Sequence, residues 1–543
     1  MKIERDERRF DFRDIGLAIK RAREASGMTQ EQLAYIVDRA PRTIMYNEND
    51  GQHPSFNTFY QMVTMFDISV DQYFYPSQNS GSECRKRIDA MLGSLDEKEL
   101  KIVYYSAGYG EKWINDLVSI FEKNHEGVKV NLEASYNAES IIRQNLNSSR
   151  NSDDLYISTG STWKSYAATG KFADLTDFLN ETVDSTSNIT VKDKINDEYK
   201  DSIYYKRSDG STKSYRLPFT SGVGGIFYNK KMFESNGWKI PETYKELMNL
   251  CETIVKNPVA VPGDPDGTTM VKPFVYTGSN TDYFDYTVFD WWSQIVGKDA
   301  IQNFLKYDNP ENFDVSKNET YNGLKTATQR WNDLFAPEKG YYVLDRNATS
   351  AADAQRDFIN GYAAMMFNGD WLYNEALNYT NSGTFDSTFE LGIMKTPVLE
   401  EAKEEYKDTS YIIGEDQYIA IPASSSKKEL AQEFIKLMIS DQGCEIFANE
   451  GHGILAYKSD YSKMNITDSF MNEYLNLREK YTYKFTNFSN DRKYLTNYID
   501  IWGTSATRPF LSILNGTLNI DKAFNNIRDT VNASWNDWTS QSN

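Results

Sequence analysis

At 543 residues the chain exceeds what one hydrophobic core organises, and domain-size scaling allows three or four compact units. With 40% apolar and 25% charged residues its composition is that of a globular protein and excludes a chain that is disordered throughout. The formal charge of −19 excludes phosphate polymers and anionic membranes as partners of the whole surface, so any nucleic-acid contact must be local.

Residues 1–49 carry 10 Lys or Arg against 9 Asp or Glu, which makes the N-terminus the least acidic part. The opening MKIERDERRFDFRDIG alternates charges where a secretory leader needs about 7–15 apolar residues, so the chain as written is expected in the cytoplasm. Ile15, Ala18, Ile19 and Ala22 then recur at helical spacing, and Gly27 is placed to end that helix. Thr29-Gln-Glu-Gln32 has the form of a capping box, opening a helix striped by Leu33, Ile36 and Val37. Pro41 suits the first position of a third helix, and Phe56, Phe59, Tyr60, Val63 and Phe66 mark a fourth; a fifth turn follows through Phe74. The run MTQEQLAYIVDRAPRTIMYNENDGQHPS resembles the Cro/phage-repressor (Xre) type of helix-turn-helix, over residues 12–75. That resemblance implies that the third helix enters a major groove, with Arg42, Thr43 and Tyr46 towards base edges and Gln30 on a phosphate, while Ile44 faces the core. It also implies an operator as partner and a homodimer.

The domain expectation is thus a head at residues 1–76, then a linker, PSQNSG, and a polar helix from Cys84 to Leu100 that fill residues 77–100. From there KIVYYS, EKWINDLVSIFEKN, VKVNLEAS, a helix and DDLYIST follow a βαβαβ rhythm, the pattern of a parallel sheet covered by helices. In such sheets ligands sit beyond the carboxyl ends of the strands, which are here the loops SAGYG at 106–110 and STGSTW at 158–163.

Several stretches, among them FEKNHEGVKVNLE, KFADLTDFL, LPFTSGVGGIFYNKKMFESNGWKIPETYKEL, FINGYAAMMFNGDW and IPASSSKKELAQEFIKLMISDQGCEIF, resemble family 1 of the extracellular solute-binding proteins. These are the carbohydrate-capturing components of ABC importers. The resemblance runs from about Lys101 to the C-terminus and implies a two-lobed α/β fold of the type II periplasmic-binding-protein kind, closing on its ligand by hinge bending. Lobe 1 is expected at about 101–218 and 417–456, and lobe 2 at about 219–416 and 457–543. The glycines of SGVGG are expected to let the chain pass tightly between lobes.

A sugar site needs aromatic planes for stacking and planar polar groups for hydroxyl pairs. Tyr109, Trp163, Trp371 and Trp502 are the stacking candidates, since each lies in or beside a loop motif. Ser106, Ser158, Thr220, Asn368, Asp370, Glu415, Asp416 and Arg508 are the polar candidates, and Trp291-Trp292 are expected in the core because their setting is helical. The three histidines and three cysteines (Cys84, Cys251, Cys444) show no HExxH or CxxC spacing, and GxSxG and GxxxxGK[ST] are absent. No enzyme, metal, cofactor or disulfide framework is therefore expected. The functional expectation is a carbohydrate-sensing transcription regulator, its ligand an oligosaccharide. The alternative is the carbohydrate-binding component of an ABC importer carrying a misjoined or engineered helix-turn-helix head, partnered by membrane subunits and extracellular, associated with the membrane.

Overall fold

The computed structural model describes residues 11–66, 68, 70, 73, 99–148, 151–160, 162–183, 188–207, 210–277, 281–343, 350–381, 389–413, 417–481, 483–485, 512–513 and 516–540. Two compact units divide the chain, Met1–Asp96 and Glu97–Asn543.

The first unit holds α1 (Arg13–Ala25), α2 (Gln30–Ile36), α3 (Pro41–Asn49) and α4 (Phe56–Met65). The Thr29 side chain accepts the Gln32 N–H while Gln32 reaches back to Thr29, so the expected capping box opens α2. Pro41 stands in the first turn of α3, and Gly27, at φ +67°, closes α1. The apolar stripes converge on Phe12, Ile15, Ile19, Leu33, Ala34, Val37, Ile44 and Met62, all buried. A charged pair lies inside this core. Arg23 Nε and Nη2 donate to Glu48 at 2.6 and 2.9 Å, and Gln30 Nε2 donates to the same carboxylate at 2.8 Å. Gln30, expected to bind a phosphate, here spends an amide N–H on Glu48 and joins α2 to α3, adding to the Arg23 pair that already satisfies this buried carboxylate. The structure shows helices here without showing a helix-turn-helix function, and only Ile68, Val70 and Tyr73 of the expected closing turn are described.

In the second unit the last two residues of the expected helix, Glu99 and Leu100, belong to a strand, pairing with Lys129 and Val130, and the rest of that helix lies outside the described residues. The strands are β1 (Glu99–Tyr105), β2 (Lys129–Ser135), β3 (Leu155–Thr159), β4 (Tyr204–Lys206), β5 (Thr212–Ser214), β6 (Gly222–Val223), β7 (Gly225–Asn229), β8 (Lys272–Val275), β9 (Ala363–Asn368), β10 (Leu391–Met394), β11 (Thr409–Ile413), β12 (Gln417–Ala420) and β13 (Tyr483–Phe485). One sheet runs β12-β3-β1-β2, with β1 parallel to both neighbours and β12 antiparallel on the β3 edge. A second runs β10-β7-β9-β8, and a third β13-β11-β6. Helix α5 (Lys112–Asn124) buries Trp113, Ile114, Leu117 and Phe121 on the first sheet, the face its spacing predicts. Further helices used below are α6 (Ala138–Asn147), α7 (Trp163–Ala168), α8 (Asp285–Val296), α9 (Leu372–Asn381) and α10 (Ser469–Glu479).

These are two α/β lobes, one on each four-stranded sheet. The chain passes between them near Leu217, which bridges Ile419, and near Thr220, which bridges Leu455. Trp291 and Trp292 are buried in α8 as their helical setting implies, their indole N–H groups donating to the Pro397 and Thr320 carbonyls at 2.9 and 2.7 Å. Cys251 and Cys444 are buried free thiols, and Cys84 lies outside the described residues. Among the described residues, no helix is long and apolar enough to cross a membrane.

Candidate functional site

Strand β9 ends at Asn368, whose side-chain oxygen accepts the Gly369 N–H at 2.8 Å, and a tight turn through Asp370 and Trp371 starts α9. The turn is closed by the Leu372 and Tyr373 N–H groups, which donate to the Gly369 and Asp370 carbonyls. It places Asp370 inwards, with no exposed surface, and leaves Trp371 half-buried. From the other lobe the 106–110 loop comes up against it. A Cβ on Gly108 would lie 2.9 Å from Trp371 Cβ, and Gly108 takes φ +83°, so the approach requires glycine on two counts.

Beneath this contact a polar network joins the lobes. The Tyr109 hydroxyl donates to Asp370 Oδ1 at 3.0 Å and lies 3.5 Å from Thr220 Oγ1; the Tyr474 hydroxyl of α10 donates to Asp370 Oδ2 at 3.1 Å. Thr220 Oγ1 in turn donates to Gln417 Oε1 at 2.5 Å, at the start of β12. Arg478 braces the crossing strand by donating to the Ser221 carbonyl and hydroxyl at 2.5 and 2.7 Å. Gly222 lacks the side chain that would strike the Asp370 carboxyl, which is what the SGVGG glycines were expected to provide. Burial pushes the Asp370 carboxyl up to about 6, against the lowering hydrogen bonds from Tyr109 and Tyr474. Burial, and then the charge of Asp370, hold the Tyr109 phenol well above its ordinary range.

The expected site residues are thus divided by their surroundings. Thr220, Asp370 and Tyr109 meet in one network, with Trp371 directly above it. Tyr109 is only 5% exposed, wedged between Phe219 and Phe447 with ring centroids 6.2 and 5.1 Å away, so it presents a hydroxyl to the network and no face to solvent. Ser106 is buried at the end of β1, its N–H donating to the Ser135 carbonyl at 3.2 Å. Asn368 is fully buried under the turn it caps, and Ser158 is buried opposite Tyr418 in the β3–β12 pair. Trp163 is not brought to this group. It packs in a separate cluster with Tyr156, Tyr166, Phe172 and Tyr418, and the Arg216 guanidinium covers its ring at 4.4 Å. Glu415, Asp416, Trp502 and Arg508 lie outside the described residues.

Two functional candidates escape the motif reading. Tyr283, half-buried, and Tyr286, at the start of α8, set their rings edge-on to Trp371 at 6.1 and 5.9 Å. Their signal was the aromatic run DYFDYTVFDWW at 282–292, in which only the two tryptophans stood out. Trp371 and Tyr283 give apolar planes edged by polar groups, which can stack on the C–H faces of a ring and leave its hydroxyls to hydrogen bonds. A covalent or acid–base role has no such basis. Both oxygens of the Asp370 carboxyl are engaged by tyrosine hydroxyls, and among the described residues no three His, Cys, Asp or Glu side chains converge to hold a metal.

A family model described as "Bacterial extracellular solute-binding protein" matches residues 106–443. The multiple sugar-binding protein of Streptococcus mutans is 27% identical over 229 residues, 42% of this chain and 47% of that protein, so the chain spans about half the length of this relative. Among solved structures, one from work on xylan utilization by the thermophilic bacterium Caldanaerobius polysaccharolyticus superposes with a TM-score of 0.58 at 17% identity, covering 80% of this chain and 100% of that one. A chitin oligosaccharide binding protein gives 0.55 at 19%, covering 81% and 99%. At these identities the structural likeness speaks to the two-lobed α/β fold.

Proposed function

Since the chain belongs to the bacterial extracellular solute-binding proteins, a family of binding proteins and not of enzymes, we propose that its Glu97–Asn543 unit captures a carbohydrate between the two lobes for an ABC importer. In this reading its partners are the importer's membrane subunits and it works outside the membrane. The observation that carries the proposal is the half-buried Trp371, flanked by Tyr283 and Tyr286, at the point where the 106–110 loop of the opposite lobe touches it. Asp370, Thr220 and Tyr109 hold the floor of that seam, so binding energy at the aromatic planes is coupled to the distance between lobes.

Titrating xylose, β-1,4-xylotriose, N-acetylglucosamine, chitotriose, galactose and raffinose into the full chain, with tryptophan fluorescence as readout, tests this. One or more of these sugars should saturate the signal, and Trp371→Ala should weaken binding by about tenfold or more. A chain silent to all six, by fluorescence and by calorimetry, would sink the reading.

A second reading keeps the sensing regulator, with the Met1–Asp96 unit as its operator-binding, dimer-forming head. Its support is local: Arg42 is exposed at the start of α3, its Nε donating to the Tyr46 hydroxyl at 2.9 Å, with Thr43 half-buried between them. This would aim one planar donor group and one phenol at a groove. Fluorescence anisotropy with a randomised duplex pool at 50 mM salt decides it. Enrichment of one sequence, lost in Arg42→Ala and altered by bound sugar, supports the regulator; absence of any retained duplex excludes it.

A further inference from the structure

We infer that His452 is a positioning residue of the sugar site: mounted on the first lobe beside the crossing strand, its imidazole braces the first turn of α9 in the second lobe and through it Trp371. This rests on the carbohydrate reading above.

Histidine is an awkward residue for this backbone. His452 closes a wide π-helical turn over Phe447–Gly451 with φ +52° and ψ +43°, the left-handed conformation in which glycine alone meets no steric penalty. Glycines flank it on both sides. A Cβ on Gly451 would lie 3.2 Å from the Phe447 ring, and one on Gly453 would lie 2.5 Å from that of Tyr109. A histidine held in a glycine's conformation, with its neighbours packed this closely, is there for its ring.

The mount belongs to the first lobe. Phe447 stands edge-on to Trp113 of α5 with centroids 5.1 Å apart, and Lys112 Nζ pairs with Glu450 at 2.7 Å. Just beyond the histidine, the Ile454 carbonyl accepts the Ser221 N–H of the crossing strand at 2.8 Å. The ring itself, 15% exposed, reaches the second lobe. It lies edge-on to Tyr373 at 5.1 Å, with Nδ1 3.4 Å from Asn374 Oδ1 and Nε2 4.0 Å from Asp468 Oδ2. Tyr373 and Asn374 belong to the turn that follows Trp371, whose carbonyl accepts the Glu375 N–H at 3.1 Å. Asp468 caps α10 and accepts the Tyr373 hydroxyl at 2.8 Å. A displaced imidazole therefore releases the turn on which Trp371 sits.

Burial holds the imidazole below its ordinary range, although Asp468 and Glu450 pull the other way. Lys112, paired with Glu450, offsets part of that pull. The docked ring is thus the neutral one, and acid favours the undocked ring, which protonates near the ordinary value of about 6.5.

The test compares His452→Gly and Asn374→Ala, singly and together, with the parent chain, by isothermal calorimetry with the six sugars named above at pH 7.5 and pH 5.5. His452→Gly suits the backbone and should melt within about 3 °C of the parent, yet bind the sugar about three- to tenfold more weakly at pH 7.5. The double variant should bind within about twofold of the weaker single one, because both changes break the same contact. At pH 5.5 the parent's advantage over His452→Gly should shrink by about twofold or more; Asp370 is present in both chains, so its own titration cancels in this ratio. A His452→Gly chain that binds like the parent at pH 7.5 overturns the inference while the carbohydrate reading stands. So do fully additive losses in the double variant, and so does an advantage that pH leaves unchanged, as a merely structural histidine would give. A parent chain that binds none of the six sugars fails earlier, at the carbohydrate reading, and the positioning role goes with it.

Discussion

Asp290 has no exposed surface, and its carboxyl accepts the Tyr411 N–H at 2.6 Å and the Thr396 hydroxyl. Burial outweighs these bonds and pushes it up to about 7. From roughly pH 4 to pH 7 the folded chain keeps a proton that the unfolded chain has released, so this group's contribution to stability falls as pH rises through that window. Asp290→Asn, which can accept the Tyr411 N–H on its oxygen and donate its amide N–H to the Thr396 hydroxyl, should therefore melt about 2–5 °C above the parent at pH 8 and match it at pH 4, as scanning calorimetry would record. Tyr109→Phe removes the hydroxyl that binds Asp370 and should lower the urea stability of the Glu97–Asn543 unit by about 1–3 kcal/mol. Residue positions were legible only where a motif fixes the local turn. NGDW put Asp370 and Trp371 at the turn after β9, because a strand ending in a tight turn presents its next side chains at the sheet edge, whereas the Asn368 side chain is spent capping that turn. Trp163 packs apart from them under Arg216, which is distant in sequence, and a ring's occupied face is a tertiary fact.

The helices and strands were largely readable, for their periodicities survive burial. The Thr29 box and the α5 stripe lie where the spacing puts them. The start of β1 was not readable: Glu99 and Leu100 extend a charged run that suits a helix, and only pairing with Lys129 and Val130 makes them a strand. Thr29→Ala should cost the Met1–Asp96 unit about 1 kcal/mol, visible as a lower urea midpoint. Gly222→Ala in β6 drives a methyl group into the Asp370 carboxyl and should destabilise by about 1–3 kcal/mol, with weaker sugar binding besides, because the floor of the seam must shift.

For the molecule as a whole, two compact units imply two unfolding transitions. A saturating sugar at about a hundred times its Kd adds about 2.7 kcal/mol to the unit that binds it. Calorimetry should show the Glu97–Asn543 transition rise and that of Met1–Asp96 stay put; a common shift would mean that the two unfold as one. The parallel sheet of the first lobe was legible from the βαβαβ order of sequence blocks, whereas the two-lobed architecture, and the closing of one lobe by a strand from far along the chain, came only with the family resemblance. That strand has a consequence for how the protein is made. The outer edge of β3 is covered by β12, so residues 160–416 must leave the ribosome before the first sheet is complete. At about 5–20 residues per second the bare edge waits on the order of tens of seconds, open to any passing strand. A chain cut short before Gln417 keeps that edge bare for good and should collect in inclusion bodies, as the soluble and pelleted fractions of a lysate would record.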